Sequence, residues 1–411
     1  MAVYNHAAQA WIFVRAGAWT QRLKDTSMVQ DIGELQKTMR AAGSPRETML
    51  PLMAVVDIQE NGSRPWDIQV NEPKVYQRFI SEGRLGLGEA YMDGDWDCED
   101  LADFFYRILV ANFTDRVDWW RMLIPYCRAR LLNLQSVSRS KRVAEAHYDL
   151  GNTLYQKMLD PRMVYSCAYW KGATDLATAQ ENKLDLVCRK LGLKPGMRVL
   201  DVGCGWGSFA KFAVERYGVE VEGITISKEQ LVLANELCAG LPVNLHLKDY
   251  RELTGQWDRV VSIGMLEHVG RKNYDGFMAR VCDWLTPDGL ALVHTIVGRY
   301  PVRRSDPWMT KYIFPGGMVP TPGQLGASVE GKLVLEDVHN IGADYDKTLM
   351  AWWANFERAW PELQDQYGER FYRMWRYYHH YCAGSFRARY NHVWQMVLSR
   401  HGVPGGYEAV R

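Results

Sequence analysis

The chain has 411 residues, with 49 Lys and Arg against 48 Asp and Glu, a net charge of +1. No global field therefore draws it to nucleic acid, and the length suggests two domains. Its 47% hydrophobic and 24% charged residues are an ordinary globular balance, so neither a disordered nor a fibrous chain is expected. Eight cysteines with no C-x-x-C pair and no zinc spacing predict reduced thiols, a cytoplasmic chain and no bound metal. No apolar run approaches the ~20 residues of a bilayer span; residues 49–58 are the longest candidate.

Residues 1–45 are polar and mixed, and read as a helical or loosely ordered extension. A small domain is expected over 46–127. Within it, 67–70 alternates like a strand and 76–81 reads as a short helix ended by Gly83. Asp93-Gly-Asp-Trp forms a turn, and 100–112 has helical periodicity. A basic stretch over 128–146 follows, with Arg128, Arg130, Arg139, Lys141 and Arg142. It reads either as a solvated linker helix or as a contact for anionic headgroups. The rest, 147–411, is expected to be one catalytic domain. Strands at 198–202, 219–225, 243–248, 258–263 and 290–296 alternate with helices. That rhythm predicts an α/β Rossmann-like fold with a parallel sheet and ligands at the carboxyl ends of the strands. A strand pair at 333–339 and 392–399 completes the sheet, with an aromatic helical block over 350–381 between them.

The run Arg-Val-Leu-Asp-Val-Gly-Cys-Gly-Trp-Gly over 198–207 carries the first functional signal. An apolar strand feeds a loop with Gly203, Gly205 and Gly207, and a helix follows. Such a loop lets backbone N–H groups approach a nucleotide-like ligand. The spacing is G-x-G-x-G rather than the G-x-G-x-x-G of dinucleotide folds, and no P-loop lysine follows. With Asp201 ahead of it, the loop reads as the S-adenosylmethionine (SAM) loop of a methyltransferase. The ribose position after the second strand is Thr225, a hydroxyl where an acid is usual, with Gln230 in the next turn. Glu222 precedes the strand end and is the weaker partner. Asp249 ends the third strand as an adenine-side contact or as a simple cap.

Four further segments converge at strand ends: 165–170, 264–270, 294–296 and 342–346. They bring Cys167, Glu267, His268, His294 and Tyr345 toward one place. Each has a bland alternative: a buried thiol, a charge on a helix dipole, a core histidine, a packed tyrosine.

At these residues the chain resembles the two-domain bacterial cyclopropane-fatty-acyl-phospholipid synthases. The matching stretches are 147–152, 158–161, 165–171, 193–207, 249–251, 264–270, 306–308, 311–315, 342–346 and 384–389, with 86–94 matching the N-terminal domain. The resemblance implies a class I SAM methyltransferase domain with a seven-stranded, mostly parallel sheet and helical lipid-side insertions, plus a small α+β N-terminal domain. It implies methylation of a cis double bond in a phospholipid acyl chain. The carbocation formed would lose a proton to a bound bicarbonate ion and close to a cyclopropane. The implied bicarbonate-side residues are Cys167, Glu267, His294, Ile296 and Tyr345, with Cys167 and Ile296 acting through backbone groups. The implied SAM contacts are Tyr165, Ser166, Gly203, Gly205, Thr225, Gln230 and Asp249, with His147 near an entrance. It further implies a homodimer working peripherally on the inner face of the cytoplasmic membrane, with no nucleic-acid partner.

A carbocation needs a dry, aromatic-lined pocket, because water would trap it as an alcohol. Trp308, Tyr312, Phe314, Trp352 and Trp353 are the expected walls. Two alternatives stay open. A hydride shift in the same cation yields a methyl- or methylene-branched chain, and loss of catalysis would leave a lipid-binding protein. Residues 1–28 read as an extension relative to the shorter family form. The loop 297–305, with three arginines, departs from the family pattern and suits a phosphate contact.

Overall fold

A computed structural model describes residues 43–111, 151–302 and 305–411. His147, the basic positions of 128–146 and most of the N-terminal extension lie outside the described residues, as do two positions of the 297–305 loop. The small N-terminal unit contains α1 (Pro45–Val55), β1 (Gln69–Val70), α2 (Val75–Glu82), α3 (Arg84–Met92), β2 (Trp96–Asp97) and α4 (Leu101–Val110). Helix α1 starts on a capping box, Ser44 with Glu47, and α4 starts on the Asp100 carboxylate. The strand expected over 67–70 shrinks to two residues. Asp67 is drawn inward instead, accepting from the backbone N–H groups of Gln59 (2.8 Å) and Arg64 (3.0 Å) and from the Arg64 guanidinium.

The larger unit begins with α5 (Gly151–Met158) and α6 (Leu176–Lys190), then alternates as expected. In order come β3 (Arg198–Val202), α7 (Ser208–Tyr217), β4 (Glu220–Thr225), α8 (Lys228–Leu237), β5 (Val243–Leu247), β6 (Trp257–Ile263), α9 (Leu266–Val269), α10 (Tyr274–Trp284) and β7 (Leu285–Gly298). Helices α11 (Pro307–Tyr312) and α12 (Pro322–Val329), β8 (Val334–Asn340), α13 (Ala343–Arg387) and β9 (Asn391–Ser399) follow. The seven strands lie in the order β5-β4-β3-β6-β7-β9-β8, with β9 antiparallel to both neighbours and the rest parallel. Successive strands from β3 run outward through β4 and β5, and the chain then crosses back to β6. The switch point between β3 and β6 is where such sheets bind ligands. Strand β3 is buried after its first residue, as a central parallel strand must be. Its even positions, Leu200 and Val202, face one apolar layer, and Val199 faces the other.

Strand β7 is longer than the expected 290–296. It pairs with β6 only as far as Ile263 opposite His294, but with β9 as far as Gly298 opposite Asn391. His294 and Ile296 therefore lie inside β7, at the point where its neighbour β6 stops, rather than at its own end.

The expected aromatic block is a 45-residue helical stretch, α13, broken at Gly368 (φ 74°, ψ 165°). Its two arms fold against each other through Trp353 and Tyr372 (5.4 Å between ring centroids) and through stacked Phe356 and Tyr372. The second arm also packs on α4. At Gly384 a Cβ would stand 2.7 Å from the Ala102 carbonyl and from Phe105, so only glycine permits this approach.

Candidate active site

The glycine loop is the floor of the cofactor side. Its first two N–H groups are spent within the fold: Gly203 and Cys204 both donate to the Ile224 carbonyl of β4, at 3.0 and 2.9 Å. All three glycines have positive φ. They differ in what a side chain would meet. A Cβ on Gly203 would stand 2.9 Å from Met265, and one on Gly207 2.9 Å from Cys238 Sγ. A Cβ on Gly205 would meet nothing within 4 Å. Gly203 and Gly207 are thus required by packing as well as by backbone, and Gly205 is the position left open toward a ligand. Asp201 is 2% exposed and its Oδ2 has no hydrogen-bond partner. Burial lifts its pKa to about 7, against the pull of the Lys183 ammonium. A buried, unpaired acceptor beside an open loop is the kind of group that a ligand donor satisfies.

At the end of β4, the Thr225 hydroxyl lies 3.4 Å from Gln230 Oε1 and accepts from the Ser227 N–H at 3.2 Å. The expected ribose pair is therefore brought together. Ile226 beside it is 79% exposed, a bare apolar side chain suited to a flat base; sequence periodicity had given no reason to single it out. Glu222 instead accepts from Trp257 Nε1, which removes it from the ligand side. Asp249 caps the turn that follows, accepting from the backbone and the guanidinium of Arg251, and these bonds hold its pKa below the usual carboxylate range.

The segment carrying Tyr165, Ser166 and Cys167 is pinned from two sides. From α6, Lys183 Nζ donates to Ser166 Oγ (2.8 Å) and Gln180 donates to the Ser166 carbonyl (2.9 Å). From α13, Thr348 Oγ1 accepts from Ala168 N–H (3.2 Å) and Asp344 accepts from Trp170 N–H (3.1 Å). Lys183 is fully buried, and desolvation pulls its pKa down to about 8. The Cys167 thiol is likewise fully buried and pushed well above its ordinary value, so it stays protonated.

Glu267, on the first turn after β6, points at the extension of β7. Its Oε1 accepts from the Ile296 N–H at 2.6 Å, a group freed because β6 has ended. Its Oε2 is buried without a partner. Burial raises the carboxyl pKa, partly offset by the Ile296 bond. His294, two residues earlier on β7, is 3% exposed and held well below its usual pKa by burial, so it is neutral. Burial drives the Tyr345 phenol far up, with Cys167, Tyr165 and Glu267 close enough to add to the rise. The five expected positions thus form one cluster. Its tyrosine and histidine are both uncharged, and the Ile296 N–H is already engaged by Glu267.

A run of rings borders the cluster: Tyr155 to Tyr165 (5.2 Å), Tyr165 to Trp352 (5.0 Å), Trp352 to Tyr345 (5.9 Å) and Tyr345 to Phe386 (4.6 Å). The Tyr165 hydroxyl shares a 2.9 Å bond with Tyr378, which in turn packs edge-on to Phe314. Trp352 and Phe314 therefore occupy the expected walls. Trp308, Tyr312 and Trp353 do not. Trp308 Nε1 reaches Met92 of the N-terminal unit and Tyr312 bonds Glu89, while Trp353 packs inside the α13 hairpin. Tyr155, Tyr378 and Phe386, which were not among the expected walls, take their places. The signal that could have found them is helical spacing from Trp352 and Tyr165, which is weak without the bend at Gly368.

The chain matches known proteins over most of its length. The family described as mycolic acid cyclopropane synthetase matches residues 135–396. The chain is 51% identical, over 361 residues, to the cyclopropane-fatty-acyl-phospholipid synthase of Escherichia coli, covering 88% of this chain and 94% of that one. It is 38% identical to a probable fatty acid methyltransferase of Pseudomonas putida, covering 83% and 89%. Among solved structures, the mycolic acid cyclopropane synthase CmaA1 in complex with SAH and CTAB superposes with a TM-score of 0.58 at 34% identity, over 63% of this chain and 98% of that one. The fold is that of the class I SAM methyltransferases.

Proposed function

The chain belongs to the mycolic acid cyclopropane synthetase family, and from that premise we propose that it methylates the cis double bond of unsaturated phospholipid acyl chains and closes a cyclopropane ring. The observation that carries this reading is the cluster of Glu267, Ile296 and His294 beside a wall of aromatic rings. An amine or alcohol acceptor would need a base and hydrogen-bond partners at its own heteroatom; rings suit an alkene and the cation it becomes.

SAM, when bound, supplies an electrophilic methyl on sulfur. The Gly203–Gly207 loop, Thr225, Gln230, Tyr165, Ser166 and Asp249 would hold it, with Asp201 buried beneath the loop. The alkene is a poor nucleophile, so the protein's main contribution is alignment of the double bond against that methyl. The alkene π electrons form the new carbon–carbon bond, and the carbon–sulfur electrons leave on sulfur. Tyr165, Trp352 and Phe386 exclude water from the resulting cation, and face-on rings stabilise it by about 0.5–2 kcal/mol each. Loss of one proton from the transferred carbon lets its electrons close the ring.

Neutral Tyr345 is a donor, not a base, and neutral His294, with its low pKa, is a weak one. The remaining acceptor is the Glu267 carboxylate, whose Oε2 is unsatisfied. His294, Tyr345 and backbone groups of Cys167 and Ile296 would donate to a bicarbonate ion, and the Glu267 carboxylate would accept from its hydroxyl; such an ion would supply a base of matched strength. Because the Ile296 N–H is bonded to Glu267, it would have to be shared with the ion.

The enzyme would act at a membrane surface on the cytoplasmic side, as a homodimer. No helix among the described residues is long and apolar enough to cross a membrane. Expression in a host that lacks the activity, followed by proton NMR of the extracted lipid, tests the proposal. Upfield ring methylene signals are expected. Methyl- or methylene-branched chains in their place would overturn the ring assignment, and unmodified lipid would overturn the activity.

A further inference from the structure

We propose that Gln395 is a positioning residue for His294: its side-chain amide holds Nδ1 as a hydrogen-bond acceptor and so keeps the imidazole proton on Nε2. The inference rests on the proposed methylation site and its bicarbonate ion, and it adds a residue that no signal in the sequence singles out. His294 on β7 and Gln395 on β9 stand directly opposite each other in the antiparallel ladder. Cross-strand partners project from the same face of a sheet, so the two side chains meet without any loop to adjust them. Gln395 Nε2 lies 3.4 Å from His294 Nδ1. Such contacts are often long before the ligand is bound and tighten around it.

An amide nitrogen only donates, so Nδ1 must present its lone pair. The neutral ring then carries its one N–H at Nε2, free to donate to an anion. The reversed amide would put the proton on Nδ1 and leave an Nε2 lone pair, which an anion repels. Protonation of the whole ring is suppressed by burial, and Lys183 and Lys190 of α6 oppose a further positive charge.

Burial argues that the amide is there for the histidine. Gln395 is fully buried, and its Oε1 has no hydrogen-bond partner. A residue needed only to fill this space would be better apolar, because a buried unsatisfied acceptor costs stability.

The test uses the full chain labelled with ¹⁵N-histidine, with His294 assigned by its loss in His294→Asn. Two-bond nitrogen–proton spectra report the tautomer without any turnover. The wild type should show the Nε2–H form. In Gln395→Glu the carboxylate can only accept, so the ring should move its proton to Nδ1. The apparent KM for bicarbonate should then rise about 10- to 100-fold, as when outer-shell partners of a ligand histidine are lost. SAM affinity should stay within about twofold. Gln395→Met, of similar volume, should populate both tautomers and give an intermediate KM. A wild-type Nδ1–H tautomer, or a Glu variant with an unchanged tautomer, would overturn the proposal. Equal losses of SAM and bicarbonate affinity would overturn it too, since they mark a structural role only. A wild type with the Nε2–H form but no response to bicarbonate would leave the positioning intact and sink the anion reading instead.

Discussion

On the β3–β4 side of the site, the residues expected to meet SAM stand at strand ends and are tied by short-range bonds. Thr225 lies against Gln230, and Asp249 accepts from the N–H of Arg251 two residues on. On the β7–β9 side, Glu267, His294 and Tyr345 are drawn from three distant stretches, and their ionisation is reset by burial. The first half is a local device, built from residues close together in the chain. The second is a tertiary device whose chemistry exists only once the sheet has closed. Mutations should therefore separate cleanly into those that move SAM affinity and those that move turnover.

The strongest test of that division is Glu267→Gln. Turnover on unsaturated phospholipid vesicles should fall by about 10²–10⁴, the usual worth of a positioned base, with SAM affinity by titration calorimetry nearly unchanged. Wild-type turnover in this variant would remove Glu267 from the base cluster. The mirror experiment is Gly205→Val. A β-branched side chain at φ 55° both strains the loop and fills the space left for the ligand. SAM binding should weaken at least about 100-fold, measured by the same titration.

Next comes the wall. Trp352→Leu removes the ring between Tyr165 and Tyr345. Loss of one cation–ring contact predicts a turnover drop of about 2- to 30-fold. It also predicts hydroxylated lipid by mass spectrometry, as water reaches the cation. Thr225→Val should weaken SAM by about 5- to 10-fold, the value of one lost hydrogen bond, and leave the product distribution unchanged.

The smallest effect lies in stability rather than activity. Asp201 keeps its proton to about pH 7 in the folded chain but releases it near pH 4 when unfolded. Between those values the folded state binds more protons, so rising pH erodes stability. Asp201→Asn removes that loss, so its melting temperature should gain on the wild type progressively from pH 4 to pH 7. A constant offset across that window would mean that the buried carboxyl has an ordinary pKa.

The same division explains what could be read from the chain before its structure. The β3 strand, glycine loop and helix α7 are contiguous, and both the strand–loop–helix pattern and the strand boundaries Arg198–Val202 agree with expectation. The alternation of strands gave the sheet for the same reason. By contrast, the end of β7 depends on β9, which arrives nearly a hundred residues later, and so the strand was read too short. Trp308 and Tyr312 looked like pocket walls because they are aromatic and close in sequence to Phe314. Their partners, Met92 and Glu89, lie more than two hundred residues away and take them to the N-terminal unit. Gln395 carried no signal at all, since its meaning comes only from facing His294 across two strands.

The central claim is that carbon in a lipid double bond receives the methyl, and that the transferred carbon then loses one of its own hydrogens. Incubating the protein with unsaturated phospholipid vesicles and SAM bearing a CD₃ group tests this directly, by carbon and deuterium NMR with mass analysis of the released acyl chains. The account predicts a ring methylene that carries two deuterium atoms. A CD₃ branch, a CD₂ exomethylene, or label on a headgroup atom would contradict it.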